Sequence, residues 1–237
     1  MPFRERFTVV ICTKTAALVV LLGLLAGCST AAPSPPSAAT APGAPSPTAA
    51  SSASPGPASS SPAVVTPTPL SPEAQMETDR LLILAAKAND PARVRELIAA
   101  GGNVNAKDAI QDSAFLYAGA EGFNEVLQLT LDAGADVRSI NRYGGTALIP
   151  ASEHGHTDTV RILIAAGVPV NHVNNLGWTA MQEAILLNNG GPNQQDVVRQ
   201  LLAAGADPDI RDPEGRTALQ NAERLGFTEI AALIRNR

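Results

Sequence analysis

From about residue 73 to residue 237, apolar positions recur at helical spacing in short runs broken by Gly, Asn and Asp. The stretch from Asn141 to Asn171 shows the pattern in full. Asn141-Arg142-Tyr143-Gly144 puts Asn first and Gly last, as a type I turn prefers. Thr146 stands at an N-cap position, where a hydroxyl can accept from the free N–H groups of a first helical turn. Leu148 and Ala151 then lie three apart on one face, and Gly155 offers the left-handed residue that ends a short helix. Val160, Leu163 and Ile164 make the buried stripe of a second helix, which Gly167 terminates. The pattern predicts a turn-helix-loop-helix unit.

The landmarks of this unit recur. The Gly after the second helix appears at Gly101, Gly134, Gly167 and Gly205, with spacings of 33, 33 and 38. The small residue inside the first helix appears at Ala85, Ala118, Ala151, Ala184 and Ala222. The cap-and-core triplet appears as Ser113-Ala114-Phe115, Thr146-Ala147-Leu148, Thr179-Ala180-Met181 and Thr217-Ala218-Leu219. Together with Gly155-His156, Leu163-Ile164 and Ala204-Gly205-Ala206-Asp207, this 33-residue period resembles the ankyrin repeat, whose T-P-L-H-x-A signature is weakened here to T-A-L/M. The resemblance implies an all-α ankyrin-repeat solenoid over residues 73–237, with about five repeats near 73–105, 108–138, 141–171, 174–209 and 212–237.

The first repeat reads as a cap: Ser71-Pro72-Glu73 supplies an N-cap, a Pro at the first helical position and an early acid. The second has Gln111 where the turn wants Gly and Thr130 where the stripe wants Leu, so it is expected to be the weakest. The fourth carries five extra residues within Asn188–Gln195, where Gly, Pro and Asn predict a loop instead of helix. Such an insertion is either a neutral surface feature or part of a binding face, where solenoid insertions often lie. The fifth ends with Arg235 in place of a stripe residue, a solvent-facing C-terminal cap.

Ahead of the repeats, Arg4, Arg6 and Lys14 make a basic stretch that precedes a short apolar run from Ala16 to Ala26. Leu25-Ala26-Gly27-Cys28 resembles the lipobox of bacterial lipoproteins. That resemblance implies a signal peptide over 1–27 and lipidation of Cys28, excluded from the fold. An uncleaved anchor starting near Thr8 is the alternative, and Lys14 at its centre counts against it. Residues 28–72 hold the lipidated Cys and a linker of Ala, Pro, Ser and Thr without a charged residue. Such a composition buries too little apolar surface to offset ordering entropy and is expected to be disordered. As a tether it would span ~140 Å when extended at ~3.1 Å per residue. Cys12 and Cys28 are the only cysteines, so the repeats contain no thiol.

Composition narrows the chemistry. A net charge of −5 and 3% aromatic residues disfavour nucleic acid as a partner. Glu153-His154-Gly155-His156 invites a metal reading, but no Cys or further ligand completes a site, and His156 occupies the structural Gly-His position of the repeat. No phosphate loop or nucleophile elbow occurs, so no catalytic residue, cofactor or enzyme activity is expected. The resemblance implies instead that turn tips and the exposed side of the first helices form a concave face that binds proteins. The variable slots of that face are Ile110, Asp112 and Tyr117, then Arg142, Tyr143, Glu153 and His154. Leu176, Trp178, Glu183, Leu186 and Leu187 follow in the fourth repeat, and Arg216 and Arg224 in the fifth. The single Trp and both Tyr fall in these slots, and aromatics and Arg are the residue types enriched at interface hot spots. Tyr143, Trp178 and Arg216 are expected to stack in one row, with Trp178 at the centre of a partner site or packed over a neighbouring turn. The expectation is a monomeric interaction module, lipid-anchored outside the cytoplasmic membrane and binding a protein of the cell envelope. An inhibitor or immunity factor of one envelope enzyme, or a structural envelope protein, is the alternative.

Overall fold

The structure is a computed structural model that describes residues 70–237. The leader over 1–27, Cys28 and the linker up to residue 69 lie outside the described residues. Among the described residues the secondary structure is helical throughout, in five pairs. They are α1 (Pro72–Lys87) with α2 (Pro91–Ala99), α3 (Ala114–Glu121) with α4 (Asn124–Asp132), and α5 (Leu148–Glu153) with α6 (Thr157–Ala165). The last two pairs are α7 (Ala180–Leu186) with α8 (Pro192–Ala203) and α9 (Ala218–Leu225) with α10 (Thr228–Arg235).

First helices stack on first helices, α1 on α3 on α5 on α7 on α9, and second helices stack likewise. The core is the seam between the two rows. Val94 and Leu97, Val126 and Leu127, Val160 and Leu163, Val197 and Leu201, and Ile230 and Ile234 are all buried in it. Thr130 takes the place of a stripe Leu and is fully buried, its hydroxyl donating to the Leu127 carbonyl at 2.7 Å. This bond satisfies a hydroxyl that would otherwise be costly to bury.

Helix starts follow the sequence reading with one exception. Ser71, Ser113, Thr179 and Thr217 each accept a backbone N–H three residues on, at 3.1–3.3 Å. Thr146, expected to do the same, does not: its hydroxyl is buried without a partner. Pro150 is the cause. In the other repeats the residue four after the cap donates its N–H to the cap carbonyl, as Tyr117, Glu183 and Asn221 do. Pro150 has no N–H, so the Thr146 carbonyl takes the Ile149 N–H at 3.2 Å instead, and α5 starts one residue late.

The inserted segment also departs from expectation. Residues 192–195 are helical, because Pro192 sits at the first position of α8, where its missing N–H costs nothing. The extra length is shared between an α8 of 12 residues, against 9 in α4 and α6, and a loop over 187–191. That loop is tied down. Asn188 Nδ2 donates to the Glu153 carbonyl at 2.7 Å, and Gln195 Nε2 to the Gly190 carbonyl at 2.9 Å. Gly190 has φ +68°, and a Cβ there would meet the Phe227 ring at 2.5 Å.

Candidate functional site

Each turn between repeats is built on one polar side chain. Asp108, Asn141, Asn174 and Asp212 open the turns, and each Oδ1 accepts the N–H of the residue four on, at 2.8–3.0 Å. The first three also accept from the residue two on, at 2.9–3.0 Å. Gln111, in place of Gly, adopts φ +64°, the left-handed conformation that Gly144, Gly177 and Gly215 take in the other turns. The turns are also linked to one another, since Asn175 N donates to the Tyr143 carbonyl at 2.9 Å.

This common register decides which tips align. Ile110, Tyr143 and Leu176 each stand two residues after the turn opener, and each is about half exposed. They form an apolar row along consecutive tips. The expected row of Tyr143, Trp178 and Arg216 is corrected accordingly: Trp178 and Arg216 stand four residues after their openers, where Asp112 and Gly145 stand in earlier repeats. Trp178 is only partly exposed, with its indole N–H buried and unpartnered.

Beneath the tips, a groove of about 420 Å³ crosses repeats two to four. Nine of the residues singled out in the sequence line it: Asp112, Tyr117, Arg142, Tyr143, Glu153, His154, Leu176, Glu183 and Leu187. Ile110, Trp178, Leu186, Arg216 and Arg224 do not. Leu116, Ile149, Pro150, Asn141 and Asn174 line the groove and were not singled out. For the two Asn residues, the recurring Asp or Asn at the turn opener was a signal available in the sequence.

At its N-terminal end the groove is bounded by a chain of ions. Lys87 Nζ lies 2.7 Å from Asp108 and 3.2 Å from Asp112, and Arg142 lies 3.4 Å from Asp112. Against the desolvation of the site, these hydrogen bonds hold the Lys87 ammonium above its ordinary range. The Lys87 ammonium also lies over the Tyr117 ring and the Arg142 guanidinium over the Tyr143 ring, at 5.3 and 4.7 Å. At the other end Glu183 is buried on α7, with Asn174 Nδ2 donating to Oε1 at 2.7 Å. Burial, reinforced by the charge of Glu153, pushes the Glu183 carboxyl up to about 7. The two imidazoles serve separate neighbours: His154 Nδ1 meets the Ala120 carbonyl at 2.8 Å, and His156 packs over Gly122. Burial and the nearby His154 lower the His156 pKa.

The repeat geometry agrees with the comparisons. A family model described as ankyrin repeats in three copies matches residues 82–173 and 115–212. The chain belongs to the ankyrin repeat family. A solved ankyrin repeat domain from Acinetobacter baumannii AYE is 57% identical, with a TM-score of 0.65 over 65% of this chain and 79% of that one. The ankyrin repeat protein EF0377 is 41% identical, with a TM-score of 0.63 over 65% of this chain and 78% of its own. The ankyrin repeat protein YahD of Escherichia coli strain K12 is 50% identical over 52 residues, which are 22% of this chain and 26% of YahD. The matched segment therefore spans about a quarter of that curated relative. The groove lies where the turn tips meet the first helices α3, α5 and α7.

Proposed function

We propose that this chain is a protein-binding module that seats its partner in the groove of repeats two to four, held outside the cytoplasmic membrane by a lipid on Cys28. The observation that carries the reading is the row of half-exposed Ile110, Tyr143 and Leu176 above a groove lined by Tyr117, Pro150 and Leu187. An aromatic anchor such as Tyr143 beside a concavity is a feature in which interface hot spots are enriched. The partner is a protein of the cell envelope. Cys28 and the uncharged linker supply the anchor and the reach; neither acts in recognition.

Two experiments test the two halves. Affinity capture from an envelope fraction, using the full chain, supplies the partner. Tyr143→Ala with Leu176→Ala is then expected to weaken its binding by about 2 kcal/mol or more, roughly thirtyfold, while stability stays within about 0.5 kcal/mol. Undiminished binding by the folded variant would remove the groove from the site. For the anchor, Cys28→Ala is expected to abolish incorporation of radiolabelled fatty acid, and unchanged labelling would refute it.

A further inference from the structure

Three acids are buried among the described residues, at 5 to 9% exposure: Asp112, Glu183 and Asp212. Two of them have resident cations. Asp112 has Lys87 and Arg142, and Asp212 has Arg216 Nε at 3.5 Å along with the Asn221 amide at 2.8 Å. Glu183 has none: its one hydrogen bond comes from the neutral Asn174, to Oε1, and Oε2 accepts from no donor among the described residues. The charged groups carried by the elements packed on α7 are Glu153 and His154 beside α5, Asp196 and Arg199 on α8, and Glu223 and Arg224 on α9. Only Glu153 and His154 bear on Glu183, and the like charge of Glu153 outweighs the imidazole.

We propose that the groove floor receives a single basic side chain, Lys or Arg, projected by the protein partner, with Glu183 as its counter-ion. This rests on the reading of the groove as a protein-binding site and adds the chemistry of what enters it. A buried carboxylate without a cation is an unbalanced charge, and an incoming ammonium or guanidinium balances both Glu183 and the adjacent Glu153. The walls suit the stem of such a side chain, because Pro150, Leu176 and Leu187 offer apolar surface to its methylenes. The groove favours an organic cation over a metal ion, since no three His, Cys, Asp or Glu side chains cluster among the described residues.

The test uses the full chain in detergent micelles and two probes, N-acetyl-Leu-Arg-Leu-amide and the same peptide with neutral citrulline in place of arginine. Binding is followed by NMR titration. Occupancy by arginine requires Glu183 ionised, so its Kd is expected to fall about thirtyfold between about pH 5.5 and pH 8.5, given a free carboxyl titrating near 7. The citrulline peptide is expected to bind weakly and without this pH dependence. Glu183→Gln, which keeps the acceptor for Asn174 and the side-chain volume, is expected to bind both peptides alike at every pH. Equal binding of the two peptides to the wild-type chain would overturn the proposal, and that arm needs no variant. Arginine preference surviving in Glu183→Gln would overturn it too. A captured partner indifferent to Glu183→Gln would sink this inference and leave the binding module standing. Intact arginine selectivity without any captured partner would sink only the broader reading.

Discussion

Asp212 and Asn221 in the fifth repeat make the same contact as Asn174 and Glu183 in the fourth, with acid and amide exchanged. The exchange reverses the electrostatics. Despite the desolvation of its site, Asp212 is held below the usual carboxylate range by the Asn221 amide, by the backbone N–H groups of its own turn and by Arg216. Glu183 sits on the helix instead, beyond those turn N–H groups, and burial with Glu153 raises it to about 7 from an ordinary 4.5. A raised acid contributes its full stability below its unfolded value, and that contribution is lost as pH climbs through the folded one. The loss attributable to Glu183 therefore falls between about pH 4.5 and pH 7 and amounts to about 3 kcal/mol. Glu183→Gln is expected to remove it. The unfolding free energy of the variant, from denaturant melts, should match wild type near pH 4 and exceed it by up to about 3 kcal/mol near pH 8. Identical pH profiles would mean that Glu183 is hydrated in solution.

At the scale of helices and loops, the fourth repeat accommodates its insertion at one glycine. Gly190 combines a left-handed backbone with direct contact to the Phe227 ring of the next repeat. Gly122 stands in the same relation to His156, whose ring atoms would lie 3.0 Å from its Cβ. Gly190→Ala is therefore expected to cost about 2–3 kcal/mol, from left-handed strain plus the displaced ring. Phe227→Ala should relieve the second part, so the double variant is expected to lose less than the sum of the two singles. Full additivity in thermal melts would show that the ring and the loop do not touch.

At the scale of the whole molecule, stability is a property of neighbours. Leu163 is completely buried in the seam between the two rows of helices. Leu163→Ala is expected to cost about 2–5 kcal/mol and to raise hydrogen exchange in α4 and α8 as well as α6. A loss below about 0.5 kcal/mol would mean that the stripe is misassigned. The period, the number of repeats, the Ser71 cap and this stripe were legible in the sequence, because each depends on spacing within one helix or on one repeated landmark. The silent Thr146 cap was not, since it turns on the N–H that Pro150 lacks four residues away. Nine groove residues were legible as variable slots, but their alignment was not. Whether Tyr143 stands beside Leu176 or Trp178 depends on the hydrogen bonds made by the turn openers. The Lys87 seam was hidden for a related reason: its partners lie one repeat away, and no pattern within a repeat reports them.

That seam has a mechanical consequence. Lys87 grips Asp108 and Asp112, and Asp112 grips Arg142, so the first three repeats are stitched edge to edge on the groove side. Bending one of these three repeats against the next strains those contacts, whereas the fourth and fifth repeats carry none of them. The end of the stack away from Leu70 can therefore flex while the first three repeats keep their register.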